Sequence, residues 1–224
     1  SLVRVATRNG IEGWGEARPL ARDRFLQLRQ ALMGQPVHAI ESLRARLDAS
    51  RGWAAADSAL LDIAAKAASV PVYQYLGGPT RFKVRAYTAL GGTNTDELLA
   101  GLDRARKAGF RAASIPVPVP PFRNSGKAYV NAAVERFEAV RKAAGDGFDL
   151  ILTAGSRLTA GDAQTIAAAL ERHYPLWFDE PCNTTSLGPV VKVASESVMP
   201  LGFGYQATDA AYFQNLLREN AIDL

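Results

Sequence analysis

The sequence has a single cysteine, Cys182, and only two histidines, His38 and His173. One thiol cannot form a disulfide within the chain, and with no secretory leader at its start this pattern indicates a reducing, cytoplasmic location. Neither histidine is an obvious base for Cys182, so we interpret the cysteine as a structural thiol. The sequence therefore gives no sign of cysteine–histidine catalysis.

Long hydrophobic runs and dense basic stretches are also missing. A helix that crosses a membrane needs about 20 apolar residues, and the apolar runs here are far shorter. The net charge of +4 is small, and the arginines recur at spacings typical of exposed helix faces rather than of a basic patch with stacking aromatics. We expect neither a membrane nor a nucleic acid as partner. The 48% hydrophobic and 21% charged residues fit a globular protein.

The first 80 residues predict a small α+β region. Two short strands, residues 2–9 and 11–17, flank Asn9-Gly10, a dipeptide that favours a hairpin turn. Apolar residues at helical spacing then predict three helices, over residues 24–32, 39–47 and 54–68. A lone hairpin is marginal without further strands, so the sequence predicts that this α+β region is not complete by itself.

After residue 80 strands and helices alternate. Strands are predicted at residues 84–90, 112–117, 150–154, 176–181 and 201–205, with the start of another at 221–224. The helix after the first of them begins near Asn94 or Thr95, with Glu97 close behind. The repeat has the size of a βα unit, which favours a parallel sheet with helices outside it. No strand leads into the glycine fingerprint of an open dinucleotide-binding sheet, so we favour a barrel, with about five or six of its eight strands present.

Several stretches together resemble one family. They are Gly13-Trp14-Gly15-Glu16-Ala17, the helix at residues 58–67, the segment 70–78 and Asp179-Glu180-Pro181. In this order they resemble the enolase superfamily, in its mandelate racemase/muconate lactonizing enzyme branch. The resemblance implies an α+β capping domain over residues 1–80, without its first strand, and an incomplete (β/α) TIM-like barrel over residues 81–224.

The resemblance also implies a chemistry: abstraction of a proton next to a carboxylate, with Mg²⁺ stabilising the enediolate. The partner would be a small-molecule carboxylate or sugar acid, and we expect a homo-oligomer. Mg²⁺ prefers oxygen ligands, so the family presents three carboxylates at the ends of successive strands, together with a lysine or histidine base.

This chain departs from that pattern at most of those positions. Ser114 and Pro116 occupy the family's base positions, and Thr153 and Gly155 replace a ligand and an acid/base residue. Tyr205 replaces the last carboxylate. The resemblance thus leaves few of the family's functional groups in place.

Asp179 is the one carboxylate that the resemblance retains as a metal ligand. Alternation along a strand places Asp179 with Trp177 on one face, and Phe178 with Glu180 on the other, where we expect Glu180 to form a structural salt bridge. We interpret four residues as lining a pocket: Ser114, Thr153, Asp179 and Tyr205. No cofactor is predicted, except Mg²⁺ if metal binding is retained.

The sequence is compatible with three functions. The favoured one is a diverged family member that has lost the Mg²⁺-dependent reaction. The second is an acid-sugar dehydratase or racemase-like lyase or isomerase acting on a carboxylate. The third is a non-catalytic barrel that binds a small molecule.

Overall fold

The computed structural model describes residues 1–47, 53–118, 126–205, 207 and 210–224. These residues separate into two units, Ser1–Val84 and Arg85–Leu224. Each unit has its own hydrophobic core. No helix in the described ranges is long and apolar enough to cross a membrane.

The first unit is an antiparallel hairpin covered by helices. β1 (Leu2–Ala6) pairs with β2 (Glu12–Glu16), and the turn between them contains Gly10 at a φ of +87°. Its helices are α1 (Arg22–Leu32), α2 (Ile40–Leu47), α3 (Trp53–Ala67) and the short α4 (Val72–Tyr75). The turn chemistry and helical periodicity of the sequence predicted the hairpin and the helices α1, α2 and α3.

α3 lies directly on β2 because the strand has glycine where the helix comes closest. A Cβ atom on Gly13 would lie 2.0 Å from the Ala59 carbonyl oxygen, and one on Gly15 would lie 1.9 Å from that of Ala55. Ala55 and Ala59 are themselves fully buried. The Gly-Trp-Gly stretch behind the family resemblance is therefore a packing requirement.

The second unit is a parallel sheet in which each strand is followed along the chain by a helix. Its five strands neighbour one another in chain order: β3 (Thr88–Ala89), β4 (Ala112–Pro116), β5 (Asp149–Thr153), β6 (Phe178–Asp179) and β7 (Leu201–Gly202). The helices are α5 (Thr95–Lys107), α6 (Gly126–Ala144), α7 (Ala160–Leu170), α8 (Leu187–Glu196) and α9 (Ala210–Arg218). The predicted β/α barrel architecture, incomplete in this chain, is confirmed.

The two faces of this sheet differ in what covers them. The outer face contributes Ile115, Leu152 and Phe178, at most 1% exposed, to a core shared with the helices. Side chains alternate along a strand, so Ser114, Thr153 and Asp179 belong to the opposite face, which we call the inner face. In a complete barrel this face lines the interior.

Three of the predicted strands are shorter than the sequence indicated. The strands predicted over residues 84–90, 176–181 and 201–205 pair over two residues each, as β3, β6 and β7. β6 ends because Glu180 adopts a left-handed conformation with a φ of +46°, and Gly204 follows β7 at a φ of +149°.

The strand predicted at residues 221–224 is not a strand in the structure. Its backbone nevertheless bonds to β7. The Phe203 N–H donates to the Leu224 carbonyl oxygen at 3.1 Å, and the Leu224 N–H donates to that of Leu201 at 3.1 Å. The chain thus runs beside β7 without adopting the repeating geometry of a strand.

Candidate functional site

The carboxyl ends of β4 to β7 place four residues in one row across the sheet. Pro116 lies opposite Thr153, Thr153 opposite Asp179, and Asp179 opposite Gly202. Paired residues of parallel strands point to the same face, and neighbouring strands lie about 4.8 Å apart. Asp179 is therefore flanked by a hydroxyl on one side and by a residue with no side chain on the other.

Asp179 is half-buried and receives two long hydrogen bonds. Its Oδ1 accepts from the Trp177 indole Nε1 at 3.4 Å, and its Oδ2 accepts from the Thr153 hydroxyl at 3.4 Å. Burial is the main influence on the pKa of Asp179 and raises it, the Trp177 hydrogen bond opposes this, and the charge of Glu180 adds to it. The carboxyl group is therefore disposed to hold a proton more readily than an exposed aspartate.

An aromatic pair stands beside this carboxylate. The Tyr87 and Trp177 rings meet edge to face, with centroids 5.5 Å apart and planes at 86°. Burial raises the pKa of Tyr87, and the charge of Asp179 raises it further. We did not predict Tyr87 as a site residue from the sequence. It lies two residues before Ala89, which pairs with Ser114 on the inner face, and residues two apart in an extended chain point to the same face.

Gly202 leaves space for the Trp177 indole and the Asp179 carboxylate. A Cβ atom at Gly202 would lie 3.0 Å from Cδ1 of Trp177 and 3.2 Å from Oδ1 of Asp179. Both distances are tighter than ordinary van der Waals contact, so the indole or the carboxylate would have to move. The missing side chain is thus a condition of the observed arrangement.

Glu180 has a structural role that differs from the predicted one. Its side chain is buried, and Oε1 accepts from the backbone N–H groups of Gly204 at 2.8 Å and Tyr205 at 2.6 Å. The Ser156 hydroxyl donates to Oε2. Among the residues that the structure describes Glu180 makes no ion pair, and N–H and hydroxyl donors take the place of the cation that the sequence led us to expect. A ring of donors, rather than a cation, holds this carboxylate between the ends of β5 and β7.

The structure brings together some of the predicted pocket residues and separates others. Thr153 and Asp179 are in hydrogen-bond contact, and Ser114 lies buried on the same face, two residues before the end of β4. Gly155 follows β5 at a φ of +59°. Tyr205 comes three residues after Gly202, and its side chain is 70% exposed. Of the predicted pocket residues, Thr153 and Asp179 therefore lie in the row, Ser114 lies further back on the same face, and Tyr205 lies beyond the strand end, as does Gly155.

A magnesium ion does not fit the residues in this row. Within the described part of the chain, no group of three or more His, Cys, Asp or Glu side chains could hold a metal ion. Mg²⁺ requires nearly octahedral oxygen ligands, and its protein sites rely on carboxylates. Here Asp179 is the row's one carboxylate, Thr153 supplies a neutral hydroxyl, and Glu180 is occupied by N–H donors.

Hairpin, covering helices and parallel βα units together define an enolase-type fold. The family model of the mandelate racemase / muconate lactonizing enzyme N-terminal domain matches residues 1–77. The model of the enolase C-terminal domain-like family matches residues 97–224. The chain belongs to the mandelate racemase/muconate lactonizing enzyme family, as the motifs of the sequence predicted.

Curated relatives and solved structures agree with this assignment. The chain is 29% identical over 238 residues to a D-galactonate dehydratase of Pectobacterium atrosepticum and 28% identical over 236 residues to one of Klebsiella pneumoniae. Each alignment covers 99% of this chain and 62% of the relative, so the chain spans less than two thirds of their length. A mandelate racemase/muconate lactonizing enzyme-like protein from Roseovarius sp. TM1035 superimposes with a TM-score of 0.87 at 26% identity, over 99% of this chain and 64% of that one.

Proposed function

We propose that this chain is part of an acid-sugar dehydratase-type lyase that acts on a polyhydroxylated carboxylic acid. The observation that carries the proposal is the similarity to D-galactonate dehydratases, which extends over 99% of the chain. Barrels of this kind bind their substrates at the carboxyl ends of the strands, where Thr153 and Asp179 lie.

Dehydration of a sugar acid removes the proton next to the carboxylate and expels a hydroxyl group from the neighbouring carbon as water. The step needs one group that takes a proton and one that gives a proton. Asp179, whose pKa burial raises, is the candidate for holding the proton that the leaving hydroxyl takes up. Ser114 and Pro116 carry no amine, so β4 does not supply a lysine base.

Turnover of a panel of sugar acids, beginning with D-galactonate, tests this function through the appearance of the 2-keto acid product. Asp179→Asn is expected to abolish turnover. Asp149→Asn is the matched control, because Asp149 begins β5, at the other end from Thr153, and pairs there with Arg85. Product formation that needs Asp179 supports the proposal, and no product from any acid in the panel overturns it.

A second candidate is a diverged member of the family that does not run the magnesium-dependent reaction. The row Pro116, Thr153, Asp179 and Gly202 favours it, because it offers Mg²⁺ one carboxylate. An ion that binds the folded state raises its melting temperature. We expect millimolar Mg²⁺ to leave the melting temperature unchanged. A clear rise in the melting temperature that Asp179→Asn abolishes would contradict this second candidate.

A further inference from the structure

We propose that Asp179, Trp177 and Tyr87 form a metal-independent binding site for the hydroxyl groups of a sugar acid or polyol. The proposal takes its ligand class from the proposed function, and the site from the disagreement between the inner face and a magnesium ion. Its ligand is held by hydrogen bonds and ring contacts.

The acceptor in this site is the Asp179 carboxylate. A carboxylate can accept about four hydrogen bonds, and Asp179 receives two, both at 3.4 Å. This donor–acceptor distance is longer than usual for both N–H and O–H donors. Hydroxyl groups of a ligand that came closer to the carboxylate would therefore form better hydrogen bonds. Asp179 also makes no ion pair within the described ranges. Its oxygens are thus available to adjacent hydroxyl groups.

The aromatic pair supplies an apolar surface next to that acceptor. Tyr87 is 44% exposed and Trp177 is partly exposed, so ring surface remains for a ligand to cover. A polyol carries C–H bonds between its hydroxyl groups, and aromatic rings combine apolar faces with polar edges. A carboxylate beside such rings therefore matches both kinds of group on a sugar chain.

The charge of the site decides which end of a ligand it binds. The carboxylate of a sugar acid and that of Asp179 repel each other unless a cation lies between them. Because the row supplies one carboxylate and neutral neighbours, the hydroxylated end of the ligand faces Asp179 and the acid end points away. A neutral polyol of the same length should therefore bind as well as the acid does.

Calorimetric titration with D-galactonate and with galactitol, each in EDTA and in millimolar Mg²⁺, tests the proposal. We expect both compounds to bind, with dissociation constants within a few-fold of each other and unchanged by EDTA. Asp179→Asn should weaken both at least tenfold, in line with hydrogen bonds to a charged acceptor. Asp149→Asn should leave binding unchanged, and thermal melts of both variants show whether each is folded.

Tryptophan fluorescence gives a second readout at the site. A ligand that covers the Trp177 ring should change the emission of the protein, and Trp177→Phe should remove that change while Trp14 and Trp53 still report on the first unit. No binding of either compound, binding that needs Mg²⁺, or a preference for D-galactonate over galactitol of a hundredfold or more would each overturn the proposal.

The outcomes separate this site from the proposed function. D-Galactonate that binds in EDTA without being dehydrated supports the site and counts against the lyase. Turnover that disappears in EDTA, with no binding of galactitol, supports the lyase and counts against the site.

Discussion

The two faces of the parallel sheet differ in the residues that they present and in what those residues determine. The outer face is apolar and fully buried, with Ile115, Leu152 and Phe178 packed against the helices. On the inner face Thr153 and Gly202 flank Asp179, where the family resemblance implies further charged groups. The fold depends on the first face and the chemistry on the second, so a chain can keep its architecture while its site changes.

Phe178→Ala should produce the largest effect, because it empties the centre of the outer face. Phe178 is fully buried, and removal of a buried phenylalanine side chain costs about 3–5 kcal/mol of the free energy of unfolding. Urea denaturation measures this. Trp177→Ala, the adjacent aromatic on the partly exposed inner face, is the matched control and should cost less. Equal losses would show that the two faces do not differ in this way.

Glu180→Gln should have the next largest effect. The amide keeps one acceptor oxygen for the Gly204 and Tyr205 N–H groups, but that oxygen is neutral, and its NH₂ group can bond Ser156 only by donating to the hydroxyl. Hydrogen bonds to a charged group contribute about 1.5–3 kcal/mol, so we expect a loss of about 1–3 kcal/mol. Chemical denaturation of this variant, compared with the exposed Glu135→Gln on α6, measures the loss. A loss no greater than that of the control would mean that Glu180 does not hold the strand ends together.

Gly202→Ala should disturb the inner face at a cost of about 1 kcal/mol, because the new methyl group meets the Trp177 ring at 3.0 Å. We expect a shift in tryptophan emission together with the modest loss of stability. Gly147→Ala is the control, since a Cβ atom there meets nothing within 4 Å. Unchanged emission would show that the indole does not depend on this glycine.

Cys182 should give the smallest effect, and only at high pH. Burial, reinforced by the charge of Glu180, raises the pKa of this thiol from 9.0 to about 11. The folded state therefore favours the protonated thiol, and this contribution to stability is complete below pH 9 and declines as the pH rises from about 9 to about 11. Urea denaturation at pH 8 and pH 10.5 should show a smaller decline in Cys182→Ala. An identical decline in both proteins would contradict the assignment.

The architecture was largely readable from the sequence because it depends on local periodicity. The hairpin follows from Asn9-Gly10, and the predicted cap of α5 is confirmed by the Asn94 side chain, which accepts from the Glu97 N–H at 2.9 Å. Helical periodicity located α1, α2 and α3, whereas α8 was not predicted. These signals are short in range, so one sequence suffices to read them.

The candidate site was readable only in part, because its geometry depends on register between strands. Alternation placed Trp177 with Asp179, but which residues lie opposite Asp179 is set by pairing across the sheet. The role of Glu180 could not be read either, since its left-handed backbone ends the strand and its donors lie 24 and 25 residues away along the chain. Tyr87 joins Trp177 across 90 positions for the same reason.

The agreement between strand order and chain order has a consequence for biosynthesis. Each strand from β4 to β7 pairs with the one made just before it, so each of these four strands finds its partner already translated. Nascent chains emerge at about 5–20 residues per second, so a new βα unit leaves the ribosome within several seconds of its neighbour. The sheet can therefore assemble sequentially during translation, growing at one edge as each unit is added.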